Sequence, residues 1–301
     1  MIMNDSGIIL IDKPEGPSSA QVVQRAKKIL HADKVGHLGT LDPFASGLLL
    51  LGVNEGTKIA DIFLGASKSY RAIMVLGVAT DSQDATGQVL QTRPVPAVTG
   101  LELTALEEQF TGALEQIPPM FSALKKDGVR LYQLARQGKE VERAARAVTI
   151  TSLRLRRLDA VEIEFDVTCS RGTYIRTLAH DMGNYLGCGA HLRALRRTAC
   201  GHLKIEDAVT VLALENLAAQ DQAPLMSLST ALAHLREVVW DSRALSRLRQ
   251  GQQEVLLQLP KPLPDETLIR ITDGRGTLVA LAEWTPIAAV GRWQLARVFR
   301  E

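Results

Sequence analysis

Cysteine is scarce in this chain of 301 residues, with Cys169, Cys188 and Cys200 the only three. None forms a CxxC pair, which argues against a thiolate zinc site, and an odd, sparse count suits a reducing cytosol. Aromatic residues make up 4% and the formal net charge is only +2. Taken as averages, these figures speak against a basic, base-stacking nucleic-acid binder. Long apolar runs are missing too. Leu48–Leu51 falls far short of the roughly 20 residues of a membrane span. Met1–Asp5 lacks the basic start of a signal peptide, so a soluble, cytoplasmic protein is expected.

Several chemical motifs are also missing. No GxGxxG or HExxH occurs, and residues 52–58 (Gly52 to Lys58) miss the phosphate-loop spacing by one. Asp81 and Asp84 before Gly87 lack the alternating ligands of a calcium loop. Residues 170–174 do not form a GxSxG elbow. Nucleotide-driven, metal-dependent and serine-hydrolase chemistry all lose support. The expectation is an activity with no cofactor and no metal.

What is present is partitioned charge. Residues 124–157 hold ten basic and three acidic side chains, a net +7. Residues 171–204 hold six and one, a net +5. Acidic segments on either side return the total to near zero. Two basic strips can thus face a polyanion while the rest of the surface stays balanced.

Ile8–Asp12 reads as a strand entering the Lys13–Pro17 turn, and Ser18 or Ser19 as the cap of a helix through Leu30. Alternation marks strands at 70–78 and 161–169, and helical spacing marks 104–110, 131–137, 174–186 and 209–217. Strands and helices mix without a βαβ beat. The fold class expected is therefore α+β, with a central mixed, mainly antiparallel sheet flanked by helices. Residues 1–235 would form the main domain, and 236–301, which hold all three tryptophans, a small β-rich one with strands near 268–271, 278–282 and 296–299.

Two glycines and a proline between Gly36 and Pro43 impose a tight loop around Asp42. By spacing alone, Asp42 caps a short helix starting at Pro43. The alternative is a carboxylate held by a rigid loop against an apolar floor, fit to act as nucleophile or base.

Six separated motifs then decide the matter. They are Asp12–Ser19, His37–Asp42 running on to Lys58, Lys68-Ser69-Tyr70-Arg71-Ala72 with Thr80–Gly87, Pro118–Lys125 with Gly128, Arg130 and Tyr132, Cys169–Thr177, and Leu195-Arg196-Arg197-Thr198. In this order they closely resemble the TruB family of bacterial tRNA pseudouridine-55 synthases, over nearly the whole chain. The resemblance implies the pseudouridine synthase fold and isomerisation of uridine 55 in the T-loop of tRNA after base flipping. By that resemblance Asp42 is the catalytic aspartate, Tyr70 packs on the target base, and Arg176 pairs with the aspartate. Leu195 walls the pocket, His37 helps open the T-loop, and Lys13 and Pro14 contribute from the first motif. A mobile insertion at about 118–147, carrying Lys125 and Arg130, would close over the tRNA T-arm. Arg196 and Arg197 would meet its backbone beside the pocket. Residues 236–301 would form a PUA-like RNA-binding domain.

The implied protein is a monomer that needs no protein partner and no membrane, and it also assists tRNA folding. The competing readings are a non-catalytic RNA chaperone and a guide-dependent synthase acting on ribosomal RNA. Leu38 and Ser18 depart from the family pattern, which favours a small polar residue and threonine there, and His202-Leu203 stand where proline and phenylalanine are usual.

The chemistry fits these residue types. Breaking N1–C1′, turning uracil over and forming C5–C1′ needs no redox partner. A carboxylate can trap the sugar's developing positive charge, add to the uracil ring, or take the 2′ proton, and the residues leave the three routes open.

Overall fold

The computed structural model describes residues 5–286 and 291–299. Its centre is a mixed sheet with ten strands among the described residues: β1 (Gly7–Lys13), β2 (Val35–His37), β3 (Ser46–Val53), β4 (Lys68–Leu76), β5 (Gly112–Gln116), β6 (Arg146–Arg157), β7 (Glu162–Cys169), β8 (Ala190–Cys200), β9 (Leu203–Lys204) and β10 (Val209–Thr210). The spatial order is β10-β1-β3-β8-β4-β7-β6-β5, with β2 beside β3 and β9 beside β8. Only β1–β10 and β3–β8 pair in parallel within it. The α+β class with a mixed, mainly antiparallel sheet is the observed one.

Strand β3 explains why the Leu48–Leu51 run is not half polar. Leu49, Leu51 and Val53 enter the core on one face of the sheet, while Leu48 and Leu50 enter a second core on the other. A strand covered on both faces reads as continuously apolar. The first face packs against α1 (Ser19–Leu30) through Val22, Val23, Ala26 and Leu30, and against α2 (Ile175–Tyr185) through Ile175, Leu178, Ala179 and Met182. Ser18 caps α1 with Gln21 completing a capping box.

The second face is sealed by Phe63, Leu203, Leu228 and Leu232, and by Leu278, Leu281 and Phe299 of the C-terminal region. That region holds β11 (Glu237–Val239), β12 (Leu268–Thr272), β13 (Leu278–Thr285) and β14 (Arg292–Val298) in sequential order. Trp240, Trp293, Ile269, Ile271 and the helix α3 (Ser242–Arg249) make a core of its own. It therefore owns a core and shares another with the main sheet.

Three expectations shift. No helix starts at Pro43: Asp42 to Ala45 make one turn, with the Ala45 N–H donating to the Asp42 carbonyl at 3.1 Å, and β3 begins at Ser46. The helix expected from Val209 starts at Val211, because Val209 and Thr210 pair with Ile11 and Asp12 and the Thr210 hydroxyl accepts the Ala213 N–H as its cap. The last tail strand is Arg292–Val298, not 296–299. Among the described residues, no helix is long and apolar enough to cross a membrane.

Candidate active site

The loop from Leu38 to Asp42 leaves β2 and is pinned at each step. The Leu38 N–H donates to the Leu50 carbonyl at 2.9 Å, and its side chain is buried in the core shared with the C-terminal region. Leu41 turns into the opposite core. The Ser19 hydroxyl, at the start of α1, both accepts the Leu41 N–H at 2.8 Å and donates to the Leu41 carbonyl at 2.9 Å. A second loop is lashed alongside. Buried Lys13 donates its Nζ to the carbonyls of Pro14 (2.8 Å), Pro17 (2.9 Å) and Pro43 (3.3 Å), and the Gly16 N–H donates to Pro43 at 2.8 Å. Burial lowers the Lys13 pKa to about 8, against the pull of Glu15 and Asp42. Lys13 and exposed Pro14 thus frame Asp42 through the backbone.

Asp42 stands in the open, its side chain 39% exposed, and pairs with Arg176 of α2. Arg176 is almost wholly buried. Its Nη2 lies 2.9 Å from Asp42 Oδ2 and donates to the Phe121 carbonyl at 2.8 Å. Its Nη1 donates to the Ser82 carbonyl at 2.8 Å and lies 3.4 Å from Asp84 Oδ2. Asp84 is itself buried. It accepts from the Ser82 hydroxyl (2.7 Å), the Thr86 hydroxyl (2.6 Å) and the Thr86 N–H (3.0 Å). A planar guanidinium can serve two carboxylates and two carbonyls at once, which a lysine cannot.

Tyr70 projects from β4 and packs against the first core, half-buried. Burial pushes its phenol up to about 12, although the Arg197 guanidinium beside it pulls the other way. Leu195, opposite Ala72 on β8, is buried in the same core, so it continues the apolar side of the site two residues along from Tyr70. His37 ends β2, half-buried. Its Nδ1 has no hydrogen-bond partner among the described residues, and burial and Arg197 both lower its pKa.

The basic residues divide. Lys125 and Arg130 face each other on a small exposed hairpin within the expected insertion. Arg130 and Arg136 lie 6.0 and 5.5 Å from the centre of the Tyr132 ring. Arg196 is partly exposed and holds Asp12 with two bonds of 3.0 and 2.8 Å. Arg197 corrects the sequence reading. It is 2% exposed and donates only inward, to the carbonyls of Leu48, Thr40 and Gly39, so it cannot meet an RNA backbone.

Two further site groups escape sequence reasoning. Asp84 reads there as a failed calcium ligand and as one letter of the Thr80–Gly87 motif, with no role of its own. Tyr174, just before α2, has its phenol raised by burial, with the charge of Arg176 opposing the shift and that of Asp42 adding to it. Among the described residues, no group of His, Cys, Asp and Glu could hold a metal ion.

The chain matches known proteins over nearly its whole length. Residues 27–175 match the TruB family pseudouridylate synthase N-terminal domain, and 176–242 the tRNA pseudouridylate synthase B C-terminal domain. The chain is 47% identical over 278 residues to tRNA pseudouridine synthase B of Thiobacillus denitrificans, covering 92% of this chain and 91% of that one. It is 42% identical to the protein of the same name from Geobacter sulfurreducens, covering 97% and 99%. Among solved structures, a Cbf5-Nop10-Gar1 complex aligns with a TM-score of 0.73 at 26% identity, over 98% of this chain and 84% of that one. An H/ACA RNP bound to a substrate RNA containing 2'-deoxyuridine aligns equally well, at 25% identity, over 98% and 85%.

A mixed sheet carrying an aspartate loop, a half-buried tyrosine and a buried arginine, together with these matches, defines an enzyme of the pseudouridine synthase class. Within that class, the chain belongs to the TruB family.

Proposed function

We propose that this protein isomerises uridine to pseudouridine at position 55 in the T-loop of tRNA. The observation that carries the reading is the Arg176–Asp42 pair, in which a buried guanidinium holds an accessible carboxylate, and Tyr70 and Leu195 of the paired strands β4 and β8 supply the ring and the apolar wall of this reading. A flipped uridine stacks on the Tyr70 ring, Leu195 closes its apolar side, and Asp42 meets the sugar or ring carbon during N1–C1′ cleavage. The detached uracil turns over in this pocket before C5 bonds to C1′. Flipping costs a few kcal/mol. Phosphate contacts from the exposed insertion carrying Lys125 and Arg130, and from Arg196, offset it. His37 enters the opened T-loop from the edge of the site.

The relatives' names support tRNA as substrate, and their 42–47% identity exceeds the 26% shared with the Cbf5 complex. A protein acting in the cytoplasm as a monomer, without guide RNA or protein partner, is the form of this reading the sequence favours. An intact Asp42 speaks for catalysis over chaperoning alone, and help with tRNA folding follows from the same strips. The test incubates the protein with an unmodified tRNA transcript and maps pseudouridine by chemical labelling and primer extension. One new stop in the T-loop, absent with Asp42→Ala, is expected. No stop, or an equal stop with the variant, would refute the reading.

A further inference from the structure

Arg197 is a buried cation whose hydrogen bonds run to main-chain oxygens. Its Nε donates to Leu48 of β3 at 2.6 Å, its Nη2 to Gly39 at 3.2 Å and its Nη1 to Thr40 at 3.3 Å. Gly39 and Thr40 lie three and two residues before Asp42. On its own strand, Arg197 stands opposite Tyr70 in the β8–β4 register, and its charge draws the Tyr70 phenol's pKa down against the effect of burial. One planar group therefore holds the Asp42 loop from a strand position paired with Tyr70.

The surrounding backbone is built to allow this. Gly47, opposite Arg197 on β3, has a φ of +98°, and a Cβ there would come within 2.3 Å of the Arg197 carbonyl. Only glycine permits so close an approach of β3 and β8, and the approach brings the Leu48 carbonyl to Arg197 Nε.

We infer that Arg197 is a positioning residue for the reaction: it fixes the Asp42 loop and the Tyr70 ring in one relation, so that a base stacked on Tyr70 presents its sugar to Asp42. This inference rests on the reading that Asp42 and Tyr70 handle the uridine. It also separates Arg197 from its neighbour Arg196, which lies partly exposed against Asp12. A lysine at 197 keeps the charge but loses the fork that reaches three acceptors in different directions.

Single-turnover pseudouridine formation and tRNA binding at several salt concentrations, measured for wild type and Arg197→Lys, test this. The expected result is a rate lower by about 100-fold or more, with the tRNA Kd within about threefold and the salt slope unchanged. A folded Arg197→Lys protein with the wild-type rate would overturn the inference. So would a weaker Kd with a salt slope reduced by about one, which marks a phosphate contact. If Arg197→Lys fails to fold, Tyr70→Phe carries the test, since it removes only the hydroxyl on which the Arg197 charge acts. A rate lower by about tenfold with unchanged Kd supports the inference, and a wild-type rate overturns it. Wild-type turnover in the same series separates the two readings. Its absence sinks the functional reading and this one with it, whereas its presence beside full turnover of the variants sinks this one alone.

Discussion

Arg176 Nη2 lies 2.9 Å from Asp42 Oδ2, and the same guanidinium lies 3.4 Å from Asp84 Oδ2 through Nη1. One carboxylate is open to solvent and the other is buried. Asp84 thus holds Arg176 from behind while Arg176 presents its other edge to Asp42. The Asp84→Asn change keeps the shape and removes the charge. Hydrogen bonds to charged groups contribute about 1.5–3 kcal/mol, so the turnover rate should fall about 10- to 100-fold while tRNA affinity changes little. Rapid-quench kinetics beside filter binding checks the split.

Arg176→Lys should be more severe than Asp84→Asn. The lysine ammonium cannot bridge Asp42, Asp84, Ser82 and Phe121 together, and part of that constellation is left buried without a partner. Breaking a buried pair costs about 3–5 kcal/mol. A rate loss above about 100-fold is expected, with a lowered thermal midpoint by calorimetry.

Affinity for tRNA should respond to the exposed cations and not to the buried one. Lys125→Gln with Arg130→Gln removes two charges from the exposed hairpin. If both meet phosphates, the slope of log K against log salt should shrink by about two. Filter binding across a salt series reads this, and an unchanged slope would remove both residues from the RNA surface.

The C-terminal region is expected to be a structural necessity as well as an accessory. Phe299, Leu278 and Leu281 close the same core as Leu38, Leu48, Leu50 and Phe63. Phe299→Ala should cost about 3–5 kcal/mol of stability by leaving a cavity there. Denaturant unfolding measures it, and a loss under about 1 kcal/mol would mean the two regions hardly share a core.

Acid should weaken the fold at one further point. The His202 and His234 rings meet at a tilt of 42° with their centres 4.6 Å apart. Burial, His202 and Arg270 lower the His234 pKa below the ordinary 6.5. The unfolded chain therefore takes up this proton first. Stability contributed by neutral His234 is complete above pH 6.5 and declines as pH falls toward its folded value. Thermal midpoints between pH 7 and 5 should drop less in His234→Gln than in wild type.

The sequence makes the site's front visible and leaves its back obscure. Asp42, Tyr70 and Arg176 become legible through the resemblance of their motifs to a known family, and the alternation at 70–78 places Tyr70 on a strand. The helix expected at Pro43 fails because Asp-Pro fits a cap wherever it occurs. The decision against a helix belongs to β3, whose pairing starts three residues later and claims the chain. Arg197 looks like its neighbour Arg196 in sequence because charge does not reveal which side of a strand faces inward. The β8 register, with bulges after Leu192 and Arg197, sets that. Asp84 needs the Arg176 fork to become meaningful, and the two lie 92 positions apart in sequence.

The central claim is that Asp42 drives replacement of the N1–C1′ bond by C5–C1′ at one uridine of tRNA. Forming that bond expels the hydrogen on C5. A transcript labelled with tritium at uridine C5 should therefore release one tritium per tRNA into water with wild type, and none above background with Asp42→Asn at equal tRNA binding. Release by Asp42→Asn at the wild-type rate, or no release by the folded wild-type protein, would contradict the account.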